Sequence, residues 1–148
     1  MPWIANVGEA AAEMWEFDGN TACISIAEPG RKARISGASD LLRLEFQDYS
    51  NTNGDGSARK PGPPNAVLFN PTLAARISRF ARHHREEGRN ILVHCAAGIS
   101  RSGGVVEALL EAFPEYIDKG WPRHPNNLVK TTMKRALGLV PLGAEENS

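Results

Sequence analysis

Apolar residues recur along this chain in two rhythms. Short apolar runs mark strands. Trp3, Ile4, Ala5 and Val7 form the first, and residues 22–27 the second, which closes on the turn pair Pro29-Gly30. Residues 41–46 alternate in part and read as a third. Ile91-Leu92-Val93 is a fourth, bounded by Gly88 and by a loop. Spacings of three and four mark helices. Gly8 to Trp15 is a short one, with Ala11, Ala12 and Trp15 turned to the core. The next carries Asn70 as N-cap, Pro71 in its first turn, the stripe Leu73, Ile77, Phe80 and Ala81, and Gly88 at its end. Gly103 to Phe113 sets Val106, Leu109, Leu110 and Phe113 on one face. The last helix runs from about Asn126 to Leu137, with Val129, Met133, Ala136 and Val140 in period. Between these two, residues 114–125 read as a connector.

The order strand, helix, strand, strand, helix, strand, helix, helix predicts a single α/β domain over residues 1–148. Its small central sheet is mainly parallel and flanked by helices. Residues 49–65 are rich in Gly, Pro, Ser and Asn and lack apolar period, which predicts a mobile functional loop. The polar tail from about residue 141 to 148 is expected to fray.

Charge changes the picture by exclusion. Seventeen basic residues balance seventeen acidic ones, so neither nucleic acid nor an anionic membrane is an expected partner. No apolar run reaches membrane-spanning length, and two cysteines without a disulfide pattern suggest a reducing compartment, read as cytoplasmic. Arg31, Lys32 and Arg34 are a solvated loop or a weak attractor for an anionic substrate. Cys23 has no partner motif, since the residue six positions on is Pro29, and reads as a small buried hydrophobe. His83 and His84 point about 100° apart on a helix, a poor metal pair, and read as favourable charge at the helix end. No metal and no cofactor is expected.

The stretch Asn90 to Ser102 carries the chemistry. A buried strand ends at His94-Cys95, a tight loop follows through Gly98, and a helix starts after it. A loop closing on a helix N-terminus gathers backbone N–H groups and partial positive charge. Arg101 adds a full charge, and such surroundings favour a thiolate at Cys95. The N–H groups of Ala96, Ala97, Gly98, Ile99, Ser100 and Arg101, with the Arg101 fork, suit the oxygens of a phosphoryl group. A His-Cys pair can also be a metal half-site, but no further ligands stand at a recognisable spacing.

The wording His-Cys-Ala-Ala-Gly-Ile-Ser-Arg-Ser resembles the signature of the cysteine-dependent protein tyrosine phosphatase superfamily, most of all its dual-specificity branch. The resemblance is sharp over residues 90–113 and looser over 40–140. It implies the phosphatase-type sheet, with Cys95 as nucleophile at the C-terminal end of a central strand. It also implies that the Ser102 hydroxyl donates to the Cys95 sulfur, and that an Asp upstream protonates the leaving group. Asp48, directly after the strand 41–46, is the expected acid, with residues 49–65 as an insertion before Cys95. Asp55, between Gly54 and Gly56, is the alternative, in which case Asp48 caps a turn. His94 points away from Cys95 and is expected to orient the loop through a backbone hydrogen bond. The expected activity is metal-independent hydrolysis of phosphomonoesters on a protein or peptide through a cysteinyl-phosphate. The competing readings are a phosphatase of inositol phosphates, lipids or RNA 5′ ends, and an inactive phosphate-binding module.

Overall fold

The computed structural model describes residues 1–50 and 65–140. Most of the stretch 49–65, with the alternative acid Asp55, and the tail 141–148 lie outside those residues. The elements are β1 (Trp3–Gly8), α1 (Glu9–Glu13), β2 (Thr21–Ala27), β3 (Leu41–Glu45), α2 (Pro71–Glu86), β4 (Asn90–Cys95), α3 (Arg101–Ala112), β5 (Ile117–Asp118) and α4 (Asn127–Ala136). The five strands form one sheet in the order β3-β2-β4-β1-β5, and every pair is parallel. The α/β domain read from the sequence is thus observed, with a sheet that is parallel throughout its described strands.

Two differences have physical reasons. β5 lies inside the segment read as a connector. It is two exposed residues long, paired to Trp3 and Ile4, and carries no apolar period to betray it. α3 begins at Arg101 rather than Gly103, so the two polar residues Arg101 and Ser102 form its buried first turn.

Strand alternation sorts the side chains onto two faces. Ile4, Ile24, Ile26, Ile91, Val93 and Cys95 join the larger core with residues of α2, α3 and α4. Ala5, Val7 and Leu92 pack on the other face with Ala12 of α1. β4 is buried at every position and sits between β2 and β1, so Cys95 is delivered to the sheet's C-terminal end from its middle. α3 and α4 approach closely because Gly104 has no side chain; a Cβ there would stand 2.9 Å from the Val129 Cβ. α2 starts on the expected cap, with the Leu73 N–H donating to Asn70 Oδ1 at 3.0 Å. Cys23 is fully buried, as read, and burial pushes its thiol up to about 12. Among the described residues, no helix is long and apolar enough to cross a membrane.

The reading of His83 and His84 needs correction. Only His83 lies exposed at the helix end, 3.6 Å from Glu87. His84 is 2% exposed, with its ring edge-on to Phe80 at 4.5 Å, and burial lowers its proton affinity. It contributes packing, not charge. The ligating atoms of His83, His84 and Glu87 do lie within 4.8 Å of one another. The Glu87 carboxylate, however, is already paired with Arg89 Nε at 3.0 Å.

A pH dependence follows. In the unfolded chain His84 protonates around its ordinary 6.5, whereas the folded state resists that proton. The unfolded state therefore binds more protons below 6.5, and stability falls as pH drops through that value. Urea midpoints read from about pH 8 down to about pH 5.5 should decline, and His84→Leu should flatten the decline. A wild-type midpoint that stays level contradicts a neutral buried His84.

Candidate active site

Cys95 closes β4 and is 2% exposed. Two groups from the first turn of α3 converge on its sulfur. The Ser102 backbone N–H donates to Sγ at 3.4 Å, and the Ser102 hydroxyl stands 3.1 Å away. Ser102 is fully buried, so its hydroxyl has little else to bond. The α3 N-terminus adds its partial positive charge at the same point.

The loop between Cys95 and α3 is held from outside by its carbonyls. Glu9 N–H donates to Ala96 O at 3.1 Å, and Asn6 Nδ2 to Gly98 O at 2.6 Å. His124 N–H donates to Ile99 O at 3.2 Å, and Asn126 N–H to Ser100 O at 2.9 Å. A trans peptide is planar, with its C=O and the following N–H on opposite sides. Turning four carbonyls outward therefore turns the N–H groups of Ala97, Ile99, Ser100 and Arg101 into the loop. Gly98 makes the tight packing possible. It sits at φ +76°, and a Cβ there would lie 2.3 Å from the Val7 carbonyl carbon.

Arg101 is 4% exposed, and its Nη1 is held from behind. It donates to Phe46 O at 3.0 Å and pairs with the Glu28 carboxylate at 3.1 Å. Its Nε is buried with no hydrogen-bond partner among the described residues. A buried guanidinium N–H left unpaired is costly.

Asp48 comes to the lip of the same loop. Its Oδ1 accepts from Ser100 Oγ at 2.8 Å and from Asn126 Nδ2 at 2.9 Å. Behind it, Gln47 N–H donates to Val67 O at 2.8 Å, and Val67 N–H returns a 2.8 Å bond to Gln47 Oε1. The predicted Cys95, Arg101, Ser102 and Asp48 thus gather around one loop of residues 96–100.

His94 precedes Cys95 at the end of β4. It does point away from Cys95, onto the opposite face of β4. There its Nε2 lies 2.6 Å from Ser25 Oγ, the residue directly across from it on β2. Burial lowers the proton affinity of His94, and a hydrogen bond with the Cys95 backbone works the other way. That backbone bond, at the start of the loop, is the one expected of His94. In the basic cluster, Arg31 is engaged with Glu9 at 3.1 Å, and together with Ala96 they line a cleft of about 30 Å³ beside the loop.

Sequence reasoning missed Glu28, Asn6, Asn126 and the second use of Ser100, whose hydroxyl serves Asp48. No local motif announces them, because each acts across a long stretch of chain. Comparison with known proteins adds no name: no family model and no curated sequence matches this chain.

Gly98→Ala tests the packing of the loop. The added methyl must displace either the loop or the end of β1, and should destabilise the domain by about 2 kcal/mol or more in urea denaturation. Wild-type stability in this variant would mean that the contact with Val7 is loose.

Proposed function

We propose that this chain is a metal-independent phosphomonoesterase of the protein tyrosine phosphatase type, acting on phosphorylated proteins or peptides through a cysteinyl-phosphate. One observation carries the reading. A buried cysteine sulfur receives a backbone N–H and a hydroxyl at the floor of a loop whose carbonyls are turned away, beside an unpartnered arginine N–H.

The chemistry follows from that arrangement. The Cys95 thiolate attacks phosphorus in line, and the S–P bond forms as the bond to the leaving oxygen breaks. The inward N–H groups and Arg101 stabilise the charge spread over the equatorial oxygens. Asp48 gives its proton to the leaving alkoxide or phenoxide. Water then attacks the thiophosphate, its proton passes to Asp48, and the Ser102 hydroxyl stabilises the departing thiolate. Inorganic phosphate is released and the site is restored.

The lip of the loop supports a monoester on a weakly charged group. Ala96, Ala97 and Ile99 are exposed there, and Arg101 is the one cation within the loop sequence. A highly charged inositol phosphate or nucleic acid end would call for further cations. Asp48 at the lip supports an active enzyme over a phosphate-binding module. A thiolate nucleophile also survives best in a reducing compartment, which supports a cytoplasmic location.

Cys95→Ser should abolish turnover of 4-nitrophenyl phosphate while orthovanadate binding, followed by calorimetry, persists. Turnover that survives the substitution excludes the covalent route. Asp48→Asn should lower kcat/KM, which reports the first step alone, on phenyl phosphate by roughly a hundredfold or more, and by much less on 4-nitrophenyl phosphate, whose leaving group needs no proton. Equal losses on both esters would remove Asp48 from the acid role.

A further inference from the structure

Asn126 is the most heavily used side chain near the proposed site. It is 4% exposed, and its side-chain amide makes three hydrogen bonds, with both N–H donors in use. Its Oδ1 accepts from Val129 N–H at 3.1 Å, which makes it the N-cap of α4. Its Nδ2 donates once to Asp48 Oδ1 at 2.9 Å and once to Tyr49 O at 2.8 Å. Its backbone N–H reaches the loop itself, at Ser100 O. The amide orientation is fixed by these partners. The flipped form would set oxygen against Asp48 and against the Tyr49 carbonyl, and nitrogen against an N–H donor.

From this geometry we infer that Asn126 is a positioning residue for the proton donor, and that it determines which oxygen of Asp48 carries the transferable proton. The inference rests on the phosphatase reading above. Oδ1 receives two donors, Asn126 Nδ2 and Ser100 Oγ, so it acts as an acceptor. The proton of the acid form then resides on Oδ2. In the first step the Oδ2–H bond breaks as the leaving-group O–H forms, and the S–P bond replaces the P–O bond. In the second step the attacking water returns its proton to Oδ2. The bond to Tyr49 O pins the backbone next to Asp48, so the carboxyl cannot swing to present Oδ1 instead. The same amide caps α4 and, through its own backbone, holds the phosphate loop. Acid, cradle and helix thereby share one register.

The capping and positioning roles separate by substitution. Asn126→Ser and Asn126→Asp both keep an oxygen able to cap α4 and lose the Nδ2 donor. The readout is the ratio of kcat/KM on 4-nitrophenyl phosphate to kcat/KM on phenyl phosphate, which isolates the first step, with urea midpoints measured alongside. Both variants should raise that ratio by roughly tenfold to a hundredfold, the scale of a misplaced general acid. In an Asp48→Asn background the same substitutions should leave the ratio where Asp48→Asn alone sets it. An unchanged ratio in a folded variant overturns the inference. So does an equal rise in the Asp48→Asn background. If Asn126→Ser fails to fold, Asn126→Asp, which keeps a side chain of the same length and a cap of the same rank, decides. Turnover that persists in Cys95→Ser would instead bring down the phosphatase reading and this inference with it. Turnover that requires Cys95 together with an unchanged ratio removes the inference alone.

Discussion

The site depends on the direction of four peptide groups. A loop of small residues has no side chains with which to hold an anion, so its backbone must do so. The backbone of Ala96–Ser100 is aimed by what bonds its carbonyls from behind: β1, the start of α1, and the segment that leads into α4. A carbonyl that swung inward would set a partial negative charge where the proposed function puts the phosphoryl oxygens. Arg101 follows the same logic. Glu28 and the Phe46 carbonyl occupy its Nη1, so the guanidinium is held to one rotation with Nε turned from those partners. Glu28 draws off some of the cation's charge, and the fixed fork is the compensation.

The sheet explains why this assembly stands where it does. In a fully parallel sheet all strand C-termini point to one edge. β4 lies between β2 and β1, so the loop after Cys95 is flanked by chain from both neighbours. Glu28 comes from the exit of β2, Asp48 from beyond β3, and Asn6 and Glu9 from the end of β1. The C-terminal edge of such a sheet is where ligands bind in open α/β folds, because loops and helix N-termini converge there.

How much of this was legible in the sequence depended on whether a residue acts locally. Cys95, Gly98, Arg101 and Ser102 fall within eight consecutive residues, and the strand–loop–helix pattern around them was readable from apolar runs and one glycine. Asp48 was singled out through the resemblance, which implies an acid after an upstream strand, and its carboxylate does reach the loop at Ser100. Asn126 was read as the start of a helix, which is correct, but its Nδ2 partners lie 77 and 78 residues away and no periodicity points to them. The supports from Glu9, His124 and Phe46 are backbone groups, which carry no residue signature at all. His84 misled for a different reason: among the arginines of α2 it read as one more surface charge, whereas packing against Phe80 put it inside. β5 escaped notice because two exposed residues paired to a strand edge have no pattern to detect.

The ties that shape the loop span most of the chain. Asn6 and Gly98 are 92 residues apart, Glu9 holds Ala96 from the same side of the sequence, and the other two supports come from His124 and Asn126. During synthesis from the N-terminus, Cys95 leaves the ribosome after Asn6 and Glu9 but before His124 and Asn126. The cradle can close only after the segment through Asn126 has emerged and docked. A partly made chain therefore carries the cysteine without the finished loop around it, and on the proposed function the order of translation itself keeps the nucleophile unassembled until the segment through Asn126 is made.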